Sequence, residues 1–142
     1  PKNTLEYLHM ESTLPKILII EDEQPVSAAL EHRLSTTGFA TTIARDGAEG
    51  LQLLESQTYA LILLDLMLPK VDGFKVLEAL NERGIKTPVM ILSNLGQIED
   101  EIRARKLGAV DFFVKSNTPI YAIAKRVKEK LGMPPDEEPV NS

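Results

Sequence analysis

Five short runs of β-branched or leucine-rich residues, at about 16 to 20, 40 to 44, 60 to 64, 88 to 93 and 110 to 114, alternate with segments of helical apolar spacing. This is the signature of repeated βα units, and the intervals fit crossover helices, so all five strands are expected to run parallel. Lys16-Ile-Leu-Ile-Ile20 and Tyr59-Ala-Leu-Ile-Leu-Leu-Asp65 are almost wholly apolar, as strands buried on both faces must be. Open parallel sheets carry their sites outside the carboxyl ends of the strands, where the chain order reverses direction. For five strands this favours the order 2-1-3-4-5, with strands one and three as neighbours.

The helices are marked by their ends. Pro25 suits a first helical position, and Val26, Ala29, Leu30 and Leu34 then recur at helical spacing until Gly38 closes the segment. Asp46-Gly-Ala-Glu49 has the form of a capping box ahead of Leu51 and Leu54, and Phe74, Leu77 and Leu80 define a third amphipathic face. Ile98, Ile102 and Leu107 before Gly108 are expected to give a fourth helix. Thr118-Pro119 opens a fifth, whose Ile123, Val127 and Leu131 run to a stop at Gly132.

The chain has 142 residues, enough for one domain with a core of its own. It lacks cysteine and holds two histidines, His9 and His32, so disulfides, thiolate zinc and a histidine-rich metal centre are excluded. Any metal must be held by oxygen. The net charge of -5 argues against a phosphate-tracking surface, so direct nucleic-acid binding is not expected. No apolar stretch approaches the roughly 20 residues that span a bilayer, and no secretory signal is present, which gives a cytoplasmic address with no membrane partner as the expectation. Residues 1–9 read as a cloning junction before a start at Met10, within an N-terminal arm of residues 1–14. Residues 15–132 form the expected domain, and residues 133–142 a flexible, acidic, proline-broken tail.

Two strands deliver acid to one sheet edge: the first ends in Glu21-Asp22-Glu23, the third in Asp65. Ser93 and Lys115 end strands four and five on the same edge. Two carboxylates about 4 Å apart repel by roughly 4 kcal/mol at an effective dielectric of about 20, which a divalent cation relieves. Mg2+ suits an open site of few acids, since it keeps waters and accepts phosphate oxygens. Asp65 could then act as a nucleophile toward phosphorus, with the Lys115 ammonium and the Ser93 hydroxyl on phosphoryl oxygens. Each residue has a plainer reading alone. Asp22 or Glu23 could serve only the positive end of the first helix, and Ser93 and Lys115 only strand ends, but their convergence outweighs those readings, whereas Asp72-Gly73 is read only as a turn and helix entry.

The pieces Ile19-Ile20-Glu21-Asp22-Glu23, Leu63-Leu64-Asp65-Leu66-Met67-Leu68-Pro69-Lys70-Val71-Asp72-Gly73, Ile91-Leu92-Ser93 and Gly108-Ala109-Val110-Asp111-Phe112-Phe113-Val114-Lys115 together resemble a response-regulator receiver domain. The resemblance covers most of residues 16–131 and implies an α/β, flavodoxin-like (βα)5 receiver fold of two-component signalling. Its strand order is the same 2-1-3-4-5, so the two readings are not independent. It further implies that a histidine kinase or phosphotransfer protein donates a phosphoryl group to Asp65. Asp22, Asp65 and the main-chain carbonyl of Met67 would hold Mg2+, with Glu21 acting through water. Lys115 would hold the phosphoryl group. Ser93 and Phe112 would switch together and alter the surface of the fourth helix, fifth strand and fifth helix, where a downstream protein target or a second copy of the chain would bind. The implied role is a signalling switch, with at most weak autodephosphorylation and no metabolic substrate.

Two departures stand out. The family usually has proline after the lysine, where this chain has Ser116, so a trans peptide is expected there. Asn94 follows Ser93 where a smaller residue is more usual, which points to an altered phosphoryl lifetime. These positions favour the alternative reading, a pseudo-receiver that binds partners independently of phosphate, whereas the acids Glu21, Asp22 and Asp65 argue against it. A hydrolase working through an aspartyl phosphate lacks support, because Leu66-Met67 offers no second carboxylate as general acid.

Overall fold

A computed structural model describes residues 13–135. The expectations for residues 1–12 and 136–142 lie outside the described residues. Five parallel strands form one sheet: β1 (Lys16–Ile20), β2 (Ala40–Ala44), β3 (Leu61–Leu64), β4 (Val89–Ser93) and β5 (Asp111–Val114), in the order β2-β1-β3-β4-β5. Five helices connect and follow them: α1 (Gln24–Thr36), α2 (Gly47–Ser56), α3 (Gly73–Glu82), α4 (Ile98–Lys106) and α5 (Ile120–Lys130). The expected architecture and strand order are those observed.

Burial follows position in the sheet. β3 and β4 are buried at every residue and β1 at all but Lys16, whereas the edge strands β2 and β5 are mostly half-buried. Alternation along each strand divides the core into two layers. Leu18, Ile20, Ile62, Leu64 and Ile91 pack with residues of α2, α3 and α4. Ile17, Ile19, Leu61, Leu63, Met90 and Leu92 pack with residues of α1 and α5. Phe112 joins the first layer and Phe113 the second, as adjacent strand residues must. Met133, assigned to the tail by its sequence, also packs on the second layer.

The helix starts follow local chemistry. The Asp46 carboxylate accepts the Glu49 N–H at 2.8 Å, and Glu49 reaches back to accept the Arg45 N–H at 3.1 Å. Asp72 caps α3 by accepting the Lys75 N–H at 3.0 Å. Gly38 and Gly108 hold positive φ just beyond α1 and α4, where a side chain would be strained.

α4 forms where expected, with its isoleucines turned outward. Ile98 and Ile102 are 70% and 49% exposed and do not form the inward face; Ala104 is the helix's buried residue. A run of charged residues gives α4 little apolar surface to bury, and it is held instead by polar contacts. The Arg103 guanidinium lies 4.0 Å from the Phe74 ring centroid, and the Asn81 side-chain amide donates to the Leu107 carbonyl at 2.7 Å.

Ile17 is fully buried at the end of the sheet remote from the acids. Ile17→Ala is expected to lower unfolding stability by roughly 2–5 kcal/mol in urea titration, leaving the acidic edge intact.

Candidate functional site

The strand ladder aims the acids. Beyond the last paired residues, Glu21 N–H still donates to the Ala44 carbonyl at 2.9 Å and Asp65 N–H to the Ile20 carbonyl at 3.0 Å. Each residue is thus held at the carboxyl edge of the sheet, and parallel register brings the two side by side. One carboxylate oxygen from each of Glu21, Asp22 and Asp65 lies within 4.8 Å of the others, an oxygen set able to hold a divalent cation. Asp22 is exposed and faces solvent, whereas Glu21 and Asp65 are buried.

Lys115, first residue after β5, closes the group. Its ammonium lies 2.8 Å from Asp65 Oδ2, 2.5 Å from Glu21 Oε1 and 3.6 Å from Glu23 Oε1. The contact with Asp65 is a hydrogen bond; that with Glu21 is an ion pair outside hydrogen-bond geometry. The side chains of Glu21, Asp65 and Lys115 are only 3%, 3% and 8% exposed. Asp65 Oδ1 accepts the Met67 N–H at 3.0 Å, and Glu21 Oε2 accepts the Glu23 N–H at 3.0 Å. Both buried acids are therefore fixed at both oxygens.

Burial pushes the Glu21 carboxyl up to about 7 from 4.5, with the Asp65 charge adding and the adjacent Lys115 ammonium and the Glu23 N–H opposing. Burial disfavours the Lys115 ammonium, but its close contacts with the Asp65 and Glu21 carboxylates outweigh it and raise that group above the ordinary lysine value.

Ser93 and Phe112, expected as switch residues, form these hydrogen bonds outside the Glu21, Asp22 and Asp65 group. The fully buried Ser93 hydroxyl accepts the Leu95 N–H at 3.4 Å, and Phe112 donates its N–H to Asp111 Oδ1 at 3.1 Å. Asn94 is exposed. The Lys115–Ser116 peptide is trans, as expected, and Lys115 still reaches Asp65.

Glu23 and Gly73 do more than their local sequence implies. Glu23 stands at the N-cap of α1 without a side-chain cap bond and faces Lys115 instead. Gly73 is more than a turn residue: a Cβ there would overlap the Asp65 carbonyl and stand 2.6 Å from Leu66 Cα. The dipeptide Asp72-Gly73 reads as an ordinary helix start, and only the tertiary approach reveals the second duty.

A family model described as the response regulator receiver domain matches residues 17–127, and the chain belongs to that family. It is 36% identical over 100 residues to the transcriptional regulatory protein DltR of Streptococcus agalactiae, covering 70% of this chain and 45% of that protein. The Francisella response regulator 1452 receiver domain superposes with a TM-score of 0.79 at 33% identity, covering 83% of this chain and 97% of that one. The receiver domain of a signal transduction histidine kinase from Syntrophus aciditrophicus gives 0.75 at 31%, covering 83% and 90%. The chain spans about half the length of the curated relatives it matches. Among the described residues no helix is long and apolar enough to cross a membrane.

Two outcomes follow from this geometry. Gly73→Ala forces the α3 start away from Asp65, an overpacking expected to cost roughly 1–3 kcal/mol in thermal or urea unfolding. For Glu21, a folded-state value raised from 4.5 to about 7 means that its stabilising contribution is complete below about 4.5 and is lost as pH rises through about 7. In chelator-treated protein, the stability advantage of Glu21→Gln over wild type should therefore grow with pH across this window, read as the difference in Tm.

Proposed function

We propose that the chain is a phosphoacceptor switch: a histidine kinase or phosphotransfer protein delivers a phosphoryl group to Asp65, and the change is relayed through the α4–β5–α5 face. The observation that carries this reading is Asp65 itself. It is a strand-end carboxylate with Glu21 and Asp22 within 4.8 Å and the Lys115 ammonium at 2.8 Å. In the transfer, an Asp65 oxygen forms the new bond to phosphorus as the bond from phosphorus to the donor nitrogen breaks, and the donor imidazole retains that electron pair. Lys115 exchanges its hold on Asp65 Oδ2 for a phosphoryl oxygen. Asp22, Asp65 and the Met67 carbonyl, with Glu21 through water, are the groups assigned to Mg2+, which when bound supplies positive charge for the phosphoryl oxygens. The three-carboxylate oxygen set fits that ion.

The new charge and acceptors at the sheet edge would draw in Ser93 and Lys115 and bias Phe112 and the face beyond it. Ile98 and Ile102 on α4, Val110 just before β5 and Tyr121 on α5 are exposed apolar residues, which would suit a downstream protein or a second copy of the chain. The role is information transfer, with at most weak autodephosphorylation. In the longer relatives named as transcriptional regulators, the corresponding output would act through the remainder of the protein.

Incubation with Mg2+ and a small acyl phosphate is expected to add one phosphoryl mass increment mapping to Asp65, absent in Asp65→Asn and in chelator. No increment would support the phosphate-independent interaction module instead. Sustained release of inorganic phosphate from monoesters would support the hydrolase.

A further inference from the structure

Lys115 opens a single 3₁₀ turn, Lys115–Asn117, between β5 and α5. The turn's main-chain closure is long: the Thr118 N–H approaches the Lys115 carbonyl at 3.5 Å. Ser116 and Asn117 are exposed. The shorter closure comes from a side chain, because the Thr118 hydroxyl donates to the Val114 carbonyl at 3.0 Å.

Both ends of that bond are anchored. Val114 is the last residue of β5 and pairs in register with Ser93. Thr118 is half-buried and precedes Pro119, whose carbonyl accepts the Ala122 and Ile123 N–H groups in the first turn of α5. The hydroxyl therefore ties the start of α5 to the end of β5, with Lys115 enclosed in the segment it closes.

We infer that Thr118 is a positioning residue, whose hydroxyl fixes the Lys115 turn so that the ammonium is aimed at Asp65 and the phosphoryl group it receives. This deepens the proposed function and rests on it. A threonine hydroxyl bonded four residues back can also be no more than a local side-chain tie at a helix start. The two roles separate by what they affect. Aiming Lys115 governs binding of a phosphoryl group, whereas Mg2+ alone is assigned to the carboxylates and the Met67 carbonyl.

The experiment compares wild type, Thr118→Val and Thr118→Ser in the full chain. It measures Mg2+ affinity, then affinity for beryllofluoride, a phosphoryl mimic, at saturating Mg2+. Thr118→Val is expected to weaken beryllofluoride binding roughly three- to tenfold, the effect of one net neutral hydrogen bond, with Mg2+ affinity retained. Thr118→Ser, which keeps the donor, is expected to restore it. If the valine variant does not fold, Thr118→Ala carries the same expectation. Undiminished binding in the variant lacking the hydroxyl, a parallel loss of Mg2+ affinity, or failure of serine to restore binding would overturn the inference. A wild-type chain that takes Mg2+ but no beryllofluoride would overturn the phosphoacceptor reading and this inference together; tight wild-type binding with an unaffected valine variant overturns the inference alone.

Discussion

Glu21 and Asp65 lie almost entirely out of water at the end of a parallel sheet, and carboxylates so placed need either a proton or a counter-charge. Lys115 supplies one positive charge to both. The balance is incomplete, which is why burial still raises Glu21 toward neutrality while Lys115 is held in its charged form. The local electrostatics leave room for a further cation among Glu21, Asp22 and Asp65. They also leave one ammonium shared between two buried carboxylates.

The rest of the fold holds that arrangement in place. Three central strands buried on both faces allow little adjustment, and the ladder continues one residue past β1 and β3 to fix the acids. Gly73 brings the α3 backbone against the Asp65 carbonyl, so Asp65 is supported from behind as well as through its own strand. The cation arrives by a different route, on a turn beyond an edge strand. The site thus joins rigid acids to an ammonium carried by a less deeply packed segment.

Strand positions, helix starts and the convergence of Asp65, Asp22, Glu21 and Lys115 were legible because each has a local signature. Apolar runs ending in acid mark buried strands, and Asp46 with Glu49 marks a helix start. α4 shows where periodicity reaches its limit. Ile98 and Ile102 have helical spacing, but a stripe does not say whether it faces the core or solvent, and the small Ala104 makes the inward contact. Glu23 turning to Lys115 and Gly73 backing Asp65 depend on tertiary proximity, for which neighbouring residues give no signal. The resemblance to receiver domains supplied roles for Ser93 and Phe112 that spacing alone would not have assigned.

The sparse anchoring of α4 has a mechanical meaning. One buried alanine, a guanidinium over an aromatic ring and a side-chain amide bond involve few of the apolar contacts that make a packed core cooperative. The helix can exchange such contacts for others of similar strength while both hydrophobic layers remain closed. A protein built this way can alter its outer contour without approaching global unfolding.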